Sequence, residues 1–211
     1  MTAIWGPLGW MTLHSTAFAY PDTPTQSERD LMRTWLDMFQ DTITCPSCKG
    51  HFTEMLASYR SQFSNMLQSR HEFIMFTFRA HNAVNKRLNK PVYASVEECV
   101  ATLRNNVKSR SAREYRVSYI NHITRHWKTF QDVTGIVALK KIREMKRIDD
   151  EYVAPRDTNF TITVRSDVVI LPQNMLNKGT EAQVPRPMFL GPAPRGAAGF
   201  RITSNGLRLR M

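Results

Sequence analysis

The stretch LMRTWLDMFQDTITCPSCKGHFTEML, residues 31–56, holds two cysteines three positions apart between two helical patterns. Before the pair, Leu31, Trp35 and Phe39 belong to an apolar stripe at helical spacing. After the pair, Pro46 suits the first turn of a helix, where a missing N–H costs nothing. The stretch therefore predicts a CxxC motif at the start of one helix, directly after another.

The first hundred residues, which include this stretch, predict five helices with little strand signal between them. Apolar residues recur at helical spacing, and proline-containing breaks such as YPDTPT and NKP separate the segments. This pattern predicts an all-α fold, a four-helix bundle plus a fifth short helix. Three of the predicted helices span 5–19, about 70–89 and about 95–107. The second helix begins near Ser27, with Asp30 as its capping-box partner, and the third begins at Pro46.

Composition limits the class of protein. The chain has 211 residues, 42% of them hydrophobic, which suits a folded core. The N-terminus lacks a basic region followed by an apolar run, and no eighteen consecutive residues are apolar, so neither a signal peptide nor a membrane span is expected. The net charge is +11, and residues 1–99 carry equal numbers of acidic and basic residues. The whole basic excess therefore follows residue 99. A basic half of this kind attracts an acidic protein, nucleic acid or a membrane surface, and charge alone does not choose among them.

The basic second half divides in two, giving three predicted regions: 1–107, 108–154 and 155–211. Residues 111 to about 150 again have a helical pattern, best explained by an amphipathic helix packed on the bundle. Its aromatic and histidine residues also allow nucleic-acid stacking or a metal-binding histidine pair. The stripe consists of Tyr115, Tyr119, Ile123, Trp127 and Phe130, continued past Gly135 by Ile136, Leu139 and Ile142, and the histidines are His122 and His126.

The last region, 155–211, is rich in proline and glycine and has the composition of an extended arm, tail or small subdomain. Within it, FTITVRSDVVIL, residues 160–171, has two β-branched runs of the kind that pair as short strands.

The CxxC allows more than one interpretation. A dithiol at a helix N-terminus forms reactive thiolates and, held by Pro46, a reversible disulfide. A zinc site made by Cys45, Cys48, His51 and Cys99 is an alternative, although its spacing is unlike that of common zinc modules. An inert buried pair is another. A thioredoxin-like fold is disfavoured because its motif follows a strand. Cys99 lies on an apolar stripe and is expected to be an unpaired buried thiol.

Two further motifs flank the CxxC: WGPLGWMTLH at 5–14 and HNAVNKRLNK at 81–90. In this order and spacing, the three stretches resemble the Erv/ALR family of FAD-linked sulfhydryl oxidases, whose pattern is WGPxxWxxLH, CxxC and HNxVNxxLxK. The resemblance covers residues 4 to about 107 and is closest to the short members from large DNA viruses. It makes the reversible disulfide the favoured interpretation, and no resident metal is expected.

The resemblance implies a set of cofactor contacts for FAD, with Trp10 and His81 bracketing the adenine. Side-chain chemistry is consistent with this, because His81, Asn85 and Leu88 share one helix face and Lys86 and Lys90 can neutralise a pyrophosphate. The implied contacts are Gly6, Pro7, Trp10, His14, His51, His81, Asn82, Val84, Asn85, Leu88, Lys90 and Tyr93.

The resemblance also implies a mechanism. Cys45 faces the protein thiol substrate, Cys48 passes two electrons to flavin, and dioxygen becomes hydrogen peroxide. Many relatives carry an additional shuttle dithiol, which this chain lacks, so a separate thioredoxin-like carrier or the substrate itself is expected to be oxidised directly. A homodimer is expected, in the host cytoplasm or virion if the protein is viral. The competing hypothesis is a non-catalytic, basic nucleic-acid-binding or structural virion protein with a vestigial helical domain.

Overall fold

The computed structural model of the chain describes residues 2–164, which form seven α-helices and no strand. No helix in this span is both long and apolar enough to cross a membrane. The predicted all-α fold is confirmed. The helices are α1 (Thr2–Ala19), α2 (Gln26–Thr42), α3 (Pro46–Gln62), α4 (Arg70–Arg87), α5 (Val96–Asn106), α6 (Ala112–Trp127) and α7 (Val133–Ile148), followed by a π-helical turn (Asp149–Val153) and a 3-10 turn (Ala154–Arg156).

Side-chain caps fix where the helices begin. The helix α2 begins at Gln26, close to the predicted Ser27, but the predicted capping pair of Ser27 and Asp30 is wrong, because the capping box uses Thr25 and Glu28. The Thr25 hydroxyl accepts from the Glu28 N–H, and the Glu28 carboxylate accepts from the Thr25 N–H at 2.9 Å. This reciprocal pair satisfies two N–H groups that a helix start otherwise leaves free.

One continuous core lies between α1, α2, α3 and α4 and extends to the inner faces of α6 and α7, with α5 packed against α4. α1 is buried along its second half, residues 11–19, because other helices cover it on several sides. Aromatic contacts join the helices: Tyr20 meets Phe73 of α4 edge-on at 5.5 Å between ring centroids, and Phe39 of α2 packs against Phe52 of α3 at 5.6 Å. The bundle places the three sequence motifs on α1, α3 and α4.

The basic segment after residue 110 packs on the bundle, as expected of an amphipathic helix: α6 lies against α1, and α7 lies against α2 and α6. The continuous stripe through residue 142 is wrong, because the helix ends at Trp127 and restarts at Val133. Asp132 caps α7 by accepting from the Gly135 N–H at 2.9 Å. A Cβ on Gly135 would collide with the Phe130 carbonyl, so this tight corner requires glycine.

A buried ion-pair network holds the end of α7 on α6. Arg116 is 1% exposed, contacts Asp149 and donates to Asp157 at 2.7 Å. Buried charges are tolerated when paired in this way. Phe160 then packs edge-on against Phe18 at 5.0 Å, so the chain after α7 folds back onto α1.

All described residues belong to one compact unit. The boundaries predicted near residues 107 and 154 stay predictions. Residues 160–164 form no strand, and the rest of the 160–171 segment and of the predicted tail lies outside the described residues.

Candidate functional site

The two cysteines of the CxxC form a disulfide at the start of α3, with their Cα atoms 5.2 Å apart. Cys45 is the N-cap residue, and its sulfur accepts from the Cys48 N–H at 3.3 Å, while Pro46 occupies the first turn. The two sulfurs differ in surroundings. Cys48 packs against the core, whereas the Cys45 sulfur lies 3.4 Å from the hydroxyl of exposed Ser47. Both cysteines are half-buried, and the assignment of Cys45 as the sulfur that faces the substrate stays a prediction.

The WGPxxWxxLH and HNxVN motifs meet in a cluster of rings between α1 and α4. Trp10 stacks on His81 with ring centroids 4.2 Å apart and planes 8° from parallel. His14 Nε2 and His81 Nδ1 are hydrogen-bonded at 3.0 Å, and Tyr93 meets His81 edge-on. A ring bracketed by Trp10 and His81 would need them about 7 Å apart, because each stacking contact takes about 3.5 Å. The bracketing arrangement is thus not the one in this structure, where the two rings touch.

Burial sets the charge of the two histidines. Desolvation, and then the neighbouring His81, lower the pKa of His14 well below its ordinary value. Desolvation, and then the positive charge of Lys90, lower the pKa of His81 to about 4. Both rings are consequently neutral at neutral pH, and within the shared hydrogen bond one nitrogen donates and the other accepts.

Cys99, on α5, completes this cluster and is a free, buried thiol, as expected. Ligand-capable atoms of His14, His81 and Cys99 lie within 4.8 Å of one another. Desolvation, and then nearby Glu98, raise the pKa of the Cys99 thiol to about 12, so it is protonated and unreactive. Its place beside these histidines, rather than beside the disulfide, argues against the zinc site that combined it with Cys45.

Asn82 holds the loop after α4 in place through two hydrogen bonds. Its side-chain N–H donates to the Tyr93 carbonyl at 2.9 Å, and its side-chain oxygen accepts from the Tyr93 N–H at 2.9 Å. Both ends of the amide are therefore used, which gives a structural reason for an asparagine inside a helix. Direct contact between Asn82 and a cofactor stays a prediction, while its positioning of Tyr93 is observed.

The disulfide lies at the same end of the bundle as the HNxVN motif because α3 and α4 run antiparallel. His51 Nδ1 contacts the Arg87 guanidinium at 2.6 Å, and farther along, Arg79 donates to the Tyr59 hydroxyl at 2.9 Å. In this register, Cys48 is level with the end of α4, about 14 Å along the helix axis from the level of His81. Only an elongated ligand can contact both Cys48 and His81.

The remaining predicted contacts lie around this end and differ in exposure. Val84 and Asn85 are half-buried, while Leu88 and Lys90 are exposed. A Cβ added at Gly6 would meet nothing within 4 Å, so packing within the described chain does not require glycine there. Pro7 is exposed within α1.

Two residues, Gly9 and Trp127, support the site although neither is among the predicted contacts. A Cβ at Gly9 would lie 3.3 to 3.4 Å from the rings of Trp5 and Tyr119, so this glycine lets α6 approach α1. Trp127 donates its indole N–H to the Thr42 carbonyl at 2.9 Å, just before the CxxC. Tyr119 is fully buried. Tyr119 and Trp127 are therefore packing residues and not a nucleic-acid stacking surface. The only sequence signal for this packing role was their place on the apolar stripe.

The Erv1/Alr family model matches residues 8–102, from α1 into α5. The chain is 33% identical over 92 residues to a putative FAD-linked sulfhydryl oxidase of Invertebrate iridescent virus 3, covering 44% of this chain and 61% of the relative. It is 36% identical over 88 residues to the FAD-linked sulfhydryl oxidase of African swine fever virus isolate Tick/Malawi/Lil 20-1/1983, covering 42% and 71%.

A putative FAD-linked sulfhydryl oxidase of Invertebrate iridescent virus 6 is 34% identical over 92 residues, covering 42% of this chain and 83% of the relative. No solved structure matches the chain significantly. Sequence identity, the order of the three motifs and the disulfide at the start of α3 agree, and the chain belongs to the Erv1/Alr family.

Proposed function

We propose that this chain is an FAD-dependent thiol oxidase that forms disulfide bonds in protein substrates and passes the electrons to dioxygen. The observation that carries the proposal is the Cys45–Cys48 disulfide, held at a helix start beside the motif-bearing end of α4. Membership of the Erv1/Alr family, and relatives named FAD-linked sulfhydryl oxidases, support the same activity.

The described side chains fit a flavin dinucleotide. The ring cluster of Trp10, His14 and His81 offers stacking surface and neutral hydrogen-bonding nitrogens for a heteroaromatic ring. Lys86 and Lys90, exposed at the end of α4, form no salt bridge within the described span and suit a pyrophosphate. The distance between the ring cluster and the disulfide suits a long cofactor. The predicted contacts at Gly6, Pro7, His51, Val84, Asn85, Leu88 and Tyr93 complete the proposed site.

The substrate step is thiol–disulfide exchange. A substrate thiolate attacks the Cys45 sulfur, which breaks the disulfide and releases Cys48 as a thiolate beside the core. A second substrate thiolate attacks the substrate sulfur of the mixed disulfide and releases Cys45. The Cys45 thiolate is favoured by its N-cap position, where it accepts from the Cys48 N–H at 3.3 Å. Two thiols have become a disulfide, and two electrons remain on the dithiol.

When bound, FAD supplies a two-electron acceptor for this dithiol and a route to dioxygen, giving hydrogen peroxide. The position of Cys48 against the core supports its role as the cysteine that faces the cofactor. Because the chain has only one other cysteine, Cys99, and that thiol is buried, we propose that the substrate or a thioredoxin-like carrier meets Cys45 directly.

Three further properties of the protein belong to this proposal. Family resemblance supports a homodimer, formed through surfaces that α6 and α7 leave uncovered. Similarity to proteins of iridoviruses and African swine fever virus supports a viral protein that acts in the host cytoplasm or virion. The basic excess after residue 99 supports an acidic protein or nucleic acid as an additional partner.

The test uses the purified full chain. We expect flavin absorbance, and peroxide formation when dithiothreitol and oxygen are supplied. Cys48→Ser should retain flavin but form no peroxide, because the disulfide cannot form. Ser61→Ala, an exposed change at the far end of α3, is the control and should keep both properties. Colourless protein that takes up no added FAD, or normal turnover in Cys48→Ser, would contradict the proposal.

A further inference from the structure

The corner between α6 and α7 exposes large apolar side chains close together in the sequence. Phe130 is 42% exposed, Val133 75%, Ile136 51% and Val137 43%. We call these four residues the apolar corner. They are four of the seven large apolar side chains that are exposed in the described chain. Single exposed apolar residues are ordinary on protein surfaces, but a cluster marks an interaction site.

The apolar corner lies at the disulfide end of the bundle because α2 and α7 run antiparallel. Tyr152, after α7, donates to Glu28 near the start of α2 at 3.0 Å, while Lys141 pairs with Asp41 near its end. Continuing in this register, the first turn of α7 extends past the end of α2. That position is level with the segment that carries Cys45.

Direct contacts fix the corner to the redox motif. Trp127, the last residue of α6, donates to the Thr42 carbonyl, three residues before Cys45. Asp41 pairs with Lys141 of α7 and also with Lys49, the residue after Cys48, at 3.7 Å. Both contacts from α6 and α7 therefore reach the residues just before the disulfide, and Asp41 links them to Lys49 on its other side. These helices lie beyond residue 102, where the family match ends.

The charges around the apolar corner are positive. Arg125, Lys128 and Lys140 are exposed and form no salt bridge within the described part of the chain. Two carboxylates lie nearby: Asp132 caps α7, and Asp41 is paired with Lys141 and Lys49. The surface therefore suits a partner with apolar side chains and acidic neighbours, and repels a basic one.

We propose that the apolar corner is the docking surface for the reduced protein substrate: a segment with large apolar side chains beside its cysteine and an acidic residue near them. The inference rests on the proposed function and specifies its substrate class. Any protein that reaches Cys45 must cover the surface around the disulfide, and the apolar corner is continuous with that surface. A preference for apolar side chains next to the substrate cysteine follows, because their burial against the corner stabilises the encounter.

The test compares substrates of different size on the full-length, FAD-loaded protein. One reduced two-cysteine peptide carries Leu, Phe and Glu beside the cysteines, and a second carries Ser and Gly at the same positions. Dithiothreitol is the small substrate. We expect wild-type kcat/KM to be about tenfold higher for the apolar peptide, the ratio that about 1.4 kcal/mol produces.

The variant is Val133→Asp combined with Ile136→Asp. Acidic residues in a first helical turn are favourable, so α7 should stay folded. We expect the preference for the apolar peptide to disappear while dithiothreitol turnover and flavin content stay unchanged. Val117→Asp is the matched control: Val117 is equally apolar and 43% exposed, but lies about 15 Å back along α6 from Trp127, and the preference should persist.

Three results would overturn the inference. A wild-type enzyme without peptide preference, or a double variant that keeps the preference, shows that the corner does not dock substrate. A double variant that changes from dimer to monomer in light scattering assigns the corner to a second copy of the chain. Absence of dithiothreitol turnover in the wild type is a different failure, because it refutes the proposed function on which the inference rests.

Discussion

His14 Nε2 and His81 Nδ1 are joined by a hydrogen bond of 3.0 Å that connects the WGPxxWxxLH motif on α1 to the HNxVN motif on α4. The bond requires at least one ring to accept, and burial keeps both rings neutral. Protonating both would leave two buried cations facing each other. The pair therefore couples the stability of this part of the bundle to pH.

The first prediction concerns that coupling. Both histidines have folded-state pKa values below the ordinary 6.5, that of His81 being about 4, so only the unfolded chain takes up their protons between these values. Their full contribution to stability is present above pH 6.5 and is lost as the pH falls towards 4, by up to about 1.4 kcal/mol per pH unit for each histidine. Urea unfolding at pH 7, 6 and 5 measures this slope.

The variant for this test is His81→Phe, which preserves a ring against Trp10 but cannot titrate. We expect the slope of unfolding free energy against pH to fall to about half that of the wild type, because His14 still titrates. An unchanged slope would show that His81 does not contribute.

The second prediction concerns thiol reactivity. Cys45 and Cys48 are joined, and the buried Cys99 has a raised pKa, so the native oxidised protein should have no thiol that reacts rapidly with Ellman's reagent. Adding guanidinium without reductant should expose one thiol per chain. In a Cys99→Ala variant that signal should vanish. A rapidly reacting thiol in the native oxidised protein would contradict the assigned disulfide or the burial of Cys99.

The third prediction tests the positioning role of Asn82. Asn82→Ala removes two hydrogen bonds to the Tyr93 backbone, and leaving such groups unpaired costs about 2 kcal/mol of unfolding free energy. Asn85→Ala, one turn away on α4, is the control and should change stability by less than about 1 kcal/mol in flavin-free protein. Equal losses in the two variants would assign the effect to the helix and not to the loop contact.

The fourth prediction contrasts two helical glycines. Gly135→Ala should destabilise the protein by about 1–3 kcal/mol, because the new Cβ meets the Phe130 carbonyl and forces the corner open. Gly50→Ala should instead stabilise it by up to about 1 kcal/mol, because nothing lies within 4 Å of that position and alanine favours the helix. Thermal unfolding of the two variants separates these cases, and stabilisation by Gly135→Ala would refute the tight corner.

Local signals predicted most of the helices. Proline breaks, apolar periodicity and Ser or Thr caps act within a few residues, so five helices lie close to their predicted bounds. The break between α6 and α7 was missed because the apolar pattern continues through it. Its cause is the contact between Gly135 and Phe130 and the packing of each helix on a different partner, α1 or α2. The packing partners have no sequence-local signal, and the local signals of the break, the Asp132 cap and Gly135, stand within an unbroken apolar stripe.

Residue types at fixed short spacings predicted the helical class and the unpaired Cys99, and the order of the three motifs along the chain indicated the family and, with it, the Cys45–Cys48 disulfide. Each motif depends on neighbours along one helix or turn, and their order can be read directly from the chain. Tertiary packing alone brings His14 to His81, lets Asn82 hold Tyr93, and joins Trp127, at the end of α6, to Thr42 before the CxxC. These contacts join residues far apart in the chain. They depend on which helix faces pack together, and that packing is determined by the core as a whole.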